Sequence, residues 1–289
     1  MAPVEPVGAS AQSVPLQYIT VVPNRPTMMQ LLTIHVRYAD SGFAAVHVLC
    51  EERTIEMYTN VWEKIFELAP NLQVNLETII SDFEQALLTS IQRCLPTTNI
   101  RGCWFHFTQA VYRKWRQLRP VITVPEGILW MAMSLPLILT ERFNEGLNII
   151  EQAANQIAYE YPFVDRFVRY LQHQWAPRAH ILNVADSPIR TNNIAENYNR
   201  HVTARLGGPH GQVWKFCDNL RKFIETNDKD LDRRRNGLNP RRRERNVQHL
   251  EDARILAAQE KLASGRYSMN DFIMTAVEHR RRGFIRNNN

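Results

Sequence analysis

Asn75 to His106 reads NLETIISDFEQALLTSIQRCLPTTNIRGCWFH, and the order of patterns inside it decides the fold. Asn75–Ser81 (NLETIIS) is short and apolar at its end, and reads as a strand. From Phe83 to Leu95 the periodicity changes. Phe83, Ala86, Leu87, Ser90, Ile91 and Cys94 recur at spacings of three and four, which gathers them on one face of a helix. Pro96 ends that helix, because it has no N–H to donate and clashes with the preceding turn. Ile100–Phe105 (IRGCWF) is short, apolar and aromatic and reads as another strand. The stretch is therefore a strand–helix–strand unit.

Upstream lie three more β-like runs: Gln17–Val22, Met28–Arg37 and Ala44–Cys50. Ala39-Asp40-Ser41-Gly42 is a turn signal between the second and third, so the three predict an antiparallel meander. A helix is expected over Thr54–Leu68, with Met57, Val61, Ile65 and Leu68 on its inner face. Three antiparallel strands, a helix, then strand–helix–strand define a mixed α/β sheet. Downstream the pattern is helical: 107–118, 125–135, 140–156, 160–174, a helix beginning near Asn193, 212–228, and a final pair at 246–263 and 269–281. Residues 1–14 are rich in Pro, Ala and Ser and read as a disordered leader. No internal repeat is visible.

The 289 residues are 44% hydrophobic, enough to bury a substantial core. The charge of +6 and pI near 9.3 permit a polyanionic partner without demanding one. Cys50, Cys94, Cys103 and Cys217 form no Cys-x-x-Cys pair and read as reduced intracellular thiols. The N-terminal 15 residues lack the basic and apolar segments of a signal peptide. Gly127–Leu139 is the longest apolar stretch. It contains Pro136 and is too short to span a bilayer, so it reads as a buried helix, and no membrane association is expected.

Four groups of residues are candidates for chemistry. Asp82 sits where the strand TIIS meets the helix, a place from which a carboxylate can hold a divalent cation. Ser81-Asp82-Phe83-Glu84 is equally a capping box, with Ser81 as N-cap, Glu84 reaching back, and Asp82 only complementing the helix dipole. Cys103 and His106 form a Cys-x-x-His pair. It supplies two of the four ligands a structural zinc needs, and His201 and His210 do not complete it. Asn193, Glu196, Asn197 and Asn199 cluster at a helix start. There Asn193 and Glu196 fit a capping box, or Glu196 is a metal ligand with Asn197 or Asn199 orienting it or touching DNA. Finally, Arg233, Arg234, Arg235, Arg241, Arg242 and Arg243 punctuate the stretch 233–245. They suit a nucleic-acid backbone, a nuclear-import signal or a solvated linker.

SDFEQAL at Ser81–Leu87, GCWFHFTQAVYRK at Gly102–Lys114 and TNNIAENYNRHV at Thr191–Val202 occur in this order. Together with VPNRPTMMQLLTIHV at Val22–Val36, they resemble the Mutator-like element (MULE) transposase domain over roughly residues 20 to 225. The resemblance implies an RNase H-like domain over 15–228, with a helical insertion at about 107–190 and a basic linker with C-terminal helices over 229–289. It implies metal-dependent DNA cleavage and strand transfer on Mg²⁺ or Mn²⁺, DNA as partner and a nuclear location, and it leaves homo-oligomerisation open. Asp82 matches the family's second Asp and Glu196 its Glu, both as catalytic metal ligands. Cys103 and His106 match its Cys-x-x-His, with Asn193, Asn197 and Asn199 as supporting or substrate-contacting groups.

One departure bears on activity. The family's first Asp lies in an Asp-Gly-Thr-Phe-like segment before the Pro that matches Pro23; here that segment reads Leu16-Gln17-Tyr18-Ile19. Glu5 and Asp40 do not fit the position, and no upstream zinc-binding DNA-recognition domain is recognisable. The expectation is an incomplete enzyme, through truncation or decay. A domesticated, non-catalytic DNA- or protein-binding module and a nuclease using another acid are the alternatives.

Overall fold

The computed structural model describes residues 18–23, 30–38, 41–120, 124–185, 187, 213–238 and 247–288. Five strands form one sheet in the order β3-β2-β1-β4-β5. They are β1 (Tyr18–Pro23), β2 (Gln30–Tyr38), β3 (Ser41–Cys50), β4 (Thr78–Ser81) and β5 (Asn99–Gly102). β1, β2 and β3 are successively antiparallel, and β1, β4 and β5 run parallel. β1, β3, β4 and β5 therefore all end at the same edge of the sheet.

Helix α1 (Ile55–Leu68), the short turn α2 (Leu72–Asn75) and α3 (Gln85–Cys94) are the helices of the sheet half. α1 and α3 cover one sheet face, where Tyr58, Trp62, Leu87 and Ile91 pack on Leu32, Ile34 and Ile79. α1 begins where Thr54 Oγ1 accepts the Met57 N–H, an N-cap bond. α9 (Val213–Arg235) packs on the other face, where Phe223 meets Leu31 and Ala44. Residues 31–35 of β2 are consequently buried on both faces of the strand.

The remaining helices are α4 (Trp104–Leu118), α5 (Gly127–Ser134), α6 (Phe143–Ile157), α7 (Phe163–Tyr170), α8 (Ala179–Leu182), α10 (Val247–Ala263) and α11 (Met269–Asn288). α4 to α7 and the C-terminal pair α10 and α11 build a second core around Phe107, Trp115, Leu129, Phe167 and Phe272. α5 is buried from Ile128 to Ser134, which accounts for the apolar stretch at 127–139. Among the described residues no helix is long and apolar enough to cross a membrane. The described chain is thus mixed α/β with helices dominant.

Several boundaries differ from the sequence expectation. The strand expected at 75–81 starts only at Thr78, because 72–75 close a helical turn whose Leu72 is buried. The strand expected at 100–105 stops at Gly102. Trp104 and Phe105 already belong to α4, where Trp104 Nε1 donates to Met133 O at 2.8 Å. The helix expected at 160–174 is α only to Tyr170 and continues as a π-helical turn over Leu171–Trp175. Arg233–Arg235 are the last turn of α9 and not linker. There the Leu238 N–H bonds Arg233 O and the Gly237 N–H bonds Arg234 O, a Schellman stop with Gly237 at φ 73°. The helix expected near Asn193 lies outside the described residues.

Candidate active site at the end of β4

Asp82 is the first residue past β4. Ser81 is opposite Val21 of β1 on one side and Gly102 of β5 on the other. The Cys103 N–H bonds Ser81 O at 2.8 Å, and Asp82 follows directly on this last paired residue of β4. Asp82 thus stands at the shared C-terminal edge, in the half of the sheet where strands run parallel.

The capping box proposed for Ser81 and Glu84 does not form. Ser81 is a strand residue, wholly buried, and its Oγ has no hydrogen-bond partner among the described residues. α3 begins at Gln85, its N-cap position is Glu84, and no side chain caps it. Asp82 organises the turn instead: its Oδ1 accepts the Glu84 N–H at 3.2 Å. The Glu84 side chain turns toward α1, where Tyr58 Oη donates to its Oε1 at 2.9 Å. Glu84 Oε2 is buried and has no hydrogen-bond partner among the described residues.

These placements leave a poorly neutralised acidic spot. Burial lifts the Asp82 carboxyl to about 6; the Glu84 N–H opposes the rise, the Glu84 carboxylate adds to it, and Arg53 counters it only weakly. Sequence reading assigned Glu84 to a cap and did not single out Arg53. The alternation Asp-Phe-Glu across a strand end was the available signal for Glu84.

Phe83 fixes the carboxylate from behind. Its ring meets Trp175 edge-on at 4.9 Å, and Trp175 meets Phe107 at 4.8 Å. A Cβ on Gly102 would stand 2.3 Å from the Phe83 ring, so the motif requires glycine there for space. Cys103 is buried at the N-cap of α4, and His106 lies in that helix's first turn. Burial first, then the charge of Arg113, holds His106 below the usual histidine range, and its buried Nδ1 has no hydrogen-bond partner among the described residues. The structure thus brings Cys103 to the strand end beside Asp82.

Glu196, Asn193, Asn197, Asn199, Arg241, Arg242 and Arg243 lie outside the described residues. Arg233, Arg234 and Arg235 close α9; Arg235 Nη1 lies 3.9 Å from Asp232 Oδ1. Among the described residues no three His, Cys, Asp or Glu side chains are grouped to hold a metal. Among the described residues a cavity of about 890 Å³ opens between β3 and α1, and Asp82 does not line it.

Asp82 is thus a carboxylate at the parallel edge of a mixed sheet, followed by a phenylalanine packed on an aromatic cluster. The comparison with known families is more specific: residues 24–110 match the family model of the MULE transposase domain. The match takes in β2 to β5 and the first half of α4, and with them Asp82, Cys103 and His106. β1, the later helices and Glu196 lie beyond it. A search of curated proteins finds no match.

Proposed function

We propose that this chain is transposase-derived, that its sheet is RNase H-like, and that Asp82 is one carboxylate of a divalent-cation site facing DNA. One observation carries the reading. Within the matched stretch, Asp82 is a partly buried carboxylate that feels the charge of a second one, Glu84, and among the described residues Arg53 is the cation that opposes it. Burying carboxylates without a full counter-charge is costly. A hard cation with oxygen ligands relieves that cost, and Mg²⁺ keeps most of its own water, so few protein ligands suffice. Asp82 and Glu84 fit such an ion, with Glu196 as the family's further ligand.

A bound Mg²⁺ or Mn²⁺ would supply Lewis-acid polarisation of a phosphodiester and an activated water. The chain's own residues do the rest. Asp82 must be ionised to bind a cation, which sets a lower pH limit near its raised titration point. Phe83 and Trp175 hold the carboxylate's backbone rigid, since small misplacement of reacting groups costs orders of magnitude in rate. Cys103 and His106 support the strand end or contact substrate.

Full two-metal strand transfer is not proposed. Tyr18-Ile19-Thr20-Val21-Val22-Pro23 is the strand beside β4, and it carries no acid. The same observation favours the second reading, a non-catalytic DNA-binding module of nuclear location. Calorimetry with Mn²⁺ and a cleavage assay on duplex DNA test both. Weak Mn²⁺ binding lost in Asp82→Asn, without cleavage, is the expected result. Identical Mn²⁺ binding by both proteins would remove the cation site. Cleavage abolished by Asp82→Asn would establish an active nuclease.

A further inference from the structure

We infer that α4, α7 and the turn at 176–178 form a phosphate-binding track for duplex DNA that leads to the Asp82 edge. The inference rests on the transposase-derived reading only for the identity of the polyanion.

Residues 104–118 and 163–178 hold six Lys and Arg against one carboxylate, Asp165, a net excess of five where the whole chain carries six. Folding brings these separate stretches together around Tyr170. Lys114, Arg166, Arg169 and His173 line one shallow depression of about 390 Å³ with that ring. Lys114 Nζ lies 5.6 Å from the ring centre. Arg113 and Arg178 are close enough for their charges to act on the Tyr170 hydroxyl, and Arg113 acts on His106 as well. Arg178 Nη2 reaches Gln85 Oε1 at 3.4 Å, three residues past Asp82. The cations therefore gather around Tyr170, and Arg178 among them reaches the start of α3.

Among the described residues they also lack carboxylate partners. Lys64, Arg142, Arg221, Lys222 and Arg235 each pair with a neighbouring carboxylate. Arg113, Lys114, Arg166, Arg169 and Arg178 have no such pair among the described residues. The frame beneath them is rigid, with Trp115 edge-on to both Phe163 and Phe167. Like charges held on a fixed frame repel one another, and an extended array of phosphates removes that repulsion while releasing counterions. Arginine forks suit phosphate oxygens. Among the described residues the exposed large apolar side chains lie elsewhere than in this depression.

The arginines of 233–235 are a weaker candidate for this role. α9 interleaves its seven Lys and Arg with five carboxylates.

The test is anisotropy titration of the full chain with a fluorescent 30-base-pair duplex of arbitrary sequence, in EDTA, over a range of NaCl. Arg113→Gln/Arg166→Gln/Arg169→Gln changes three exposed side chains and should leave the thermal melt unchanged. About three lost phosphate contacts should lower the slope of log K against log salt by roughly 2.7 and the affinity at least tenfold at 0.1 M salt. Arg233→Gln/Arg234→Gln/Arg235→Gln is the control and should lose less. Arg166→Glu alone is a second variant, expected to weaken binding further than Arg166→Gln. An unchanged slope in the triple variant, a larger loss in the control, or no binding by the unaltered chain overturns the track. Asp82→Asn should bind DNA at least as tightly. DNA binding retained while Mn²⁺ binding proves independent of Asp82 would sink the cation site and leave the track standing.

Discussion

At the scale of single residues, the same carboxylate that makes the candidate site also weakens the fold. Asp82 titrates near 6 in the folded chain against 3.8 in an ordinary setting. A raised carboxyl pKa means the folded state holds its proton more tightly. Stability is then undiminished below about pH 4 and falls as pH rises through 6. Asp82→Asn keeps an oxygen to accept the Glu84 N–H and removes the charge. Without divalent cations it should gain up to about 3 kcal/mol at pH 7.5, by the free energy of a shift of about two units. That gain should vanish near pH 4 in denaturant melts, and a loss at pH 7.5 would show that Asp82 is adequately paired. His35 has the opposite sign. It is buried on β2, its Nε2 lies 3.2 Å from Thr33 Oγ1, and burial, aided by His47, holds it at about 3. Folded and unfolded chains are both neutral there above about pH 6.5. Below that the unfolded chain alone takes the proton, so about 1.4 kcal/mol is lost per pH unit until pH 3. His47, also lowered by burial, acts in the same direction. Measured in the Asp82→Asn background, His35→Gln should flatten the acid limb, and an unaltered limb would assign it to other groups.

At the scale of elements, two joints hold the site's surroundings. The first is Gly102 at the end of β5. Gly102→Ala must displace the Phe83 ring, which is packed on Trp175 and cannot simply swing away. A destabilisation of about 1–3 kcal/mol is expected from overpacking, with a shift of Asp82 that weakens Mn²⁺ binding more than the stability loss explains. Unchanged stability and cation binding would mean the ring moves freely. The second joint is Asn227 of α9, whose Nδ2 donates to Ala44 O at 3.0 Å while its Oδ1 accepts the Ala44 N–H at 3.2 Å. Ala44 borders the register shift opposite Ile34 and His35, so the amide replaces ladder bonds that the irregularity removes. Asn227→Leu should cost about 1–3 kcal/mol and speed hydrogen exchange in β3. These joints show what the sequence displayed and what it hid. Periodicity located α1, α3 and the strands within a few residues, but it set the inner face of α1 on Met57, Val61, Ile65 and Leu68. Tyr58, Trp62 and Ile65 are the buried ones and Leu68 is exposed, because the two large aromatics fill the space against the sheet. The start of α4 was misplaced because Trp104 and Phe105 are aromatic and follow a strand, and only the tertiary bond to Met133 draws them into a helix. The role of Glu84 was hidden because a capping box and a strand-end acid share one pattern. The cation track was hidden because its members come from three separate stretches.

At the scale of the whole molecule, the sheet core and the helical core meet through Phe83, Phe107 and Trp175. The C-terminal helices belong to the second of these. Ile255, Ala258 and Leu262 of α10 and Met269, Phe272, Ile273 and Ala276 of α11 are buried in the same cluster as Trp115 and Phe167. Gln259 Nε2 also donates to Leu137 O at 3.1 Å, so α10 satisfies a backbone carbonyl of the helical layer. Interiors pack as densely as organic crystals, so removing a large side chain leaves a cavity that neighbours fill only in part. Phe272→Ala should therefore cost about 3–5 kcal/mol although it is remote in sequence from the candidate site. The loss should reach Asp82, because α4 both lines the helical core with Phe107 and follows directly from β5 through Cys103. Urea unfolding followed separately by circular dichroism and by exchange of β4 amides measures this. Coincident transitions, both moved to lower urea by Phe272→Ala, are expected. A helical transition that shifts alone, with β4 protection intact, would show that the two cores unfold independently and that the C-terminal helices do not hold the site.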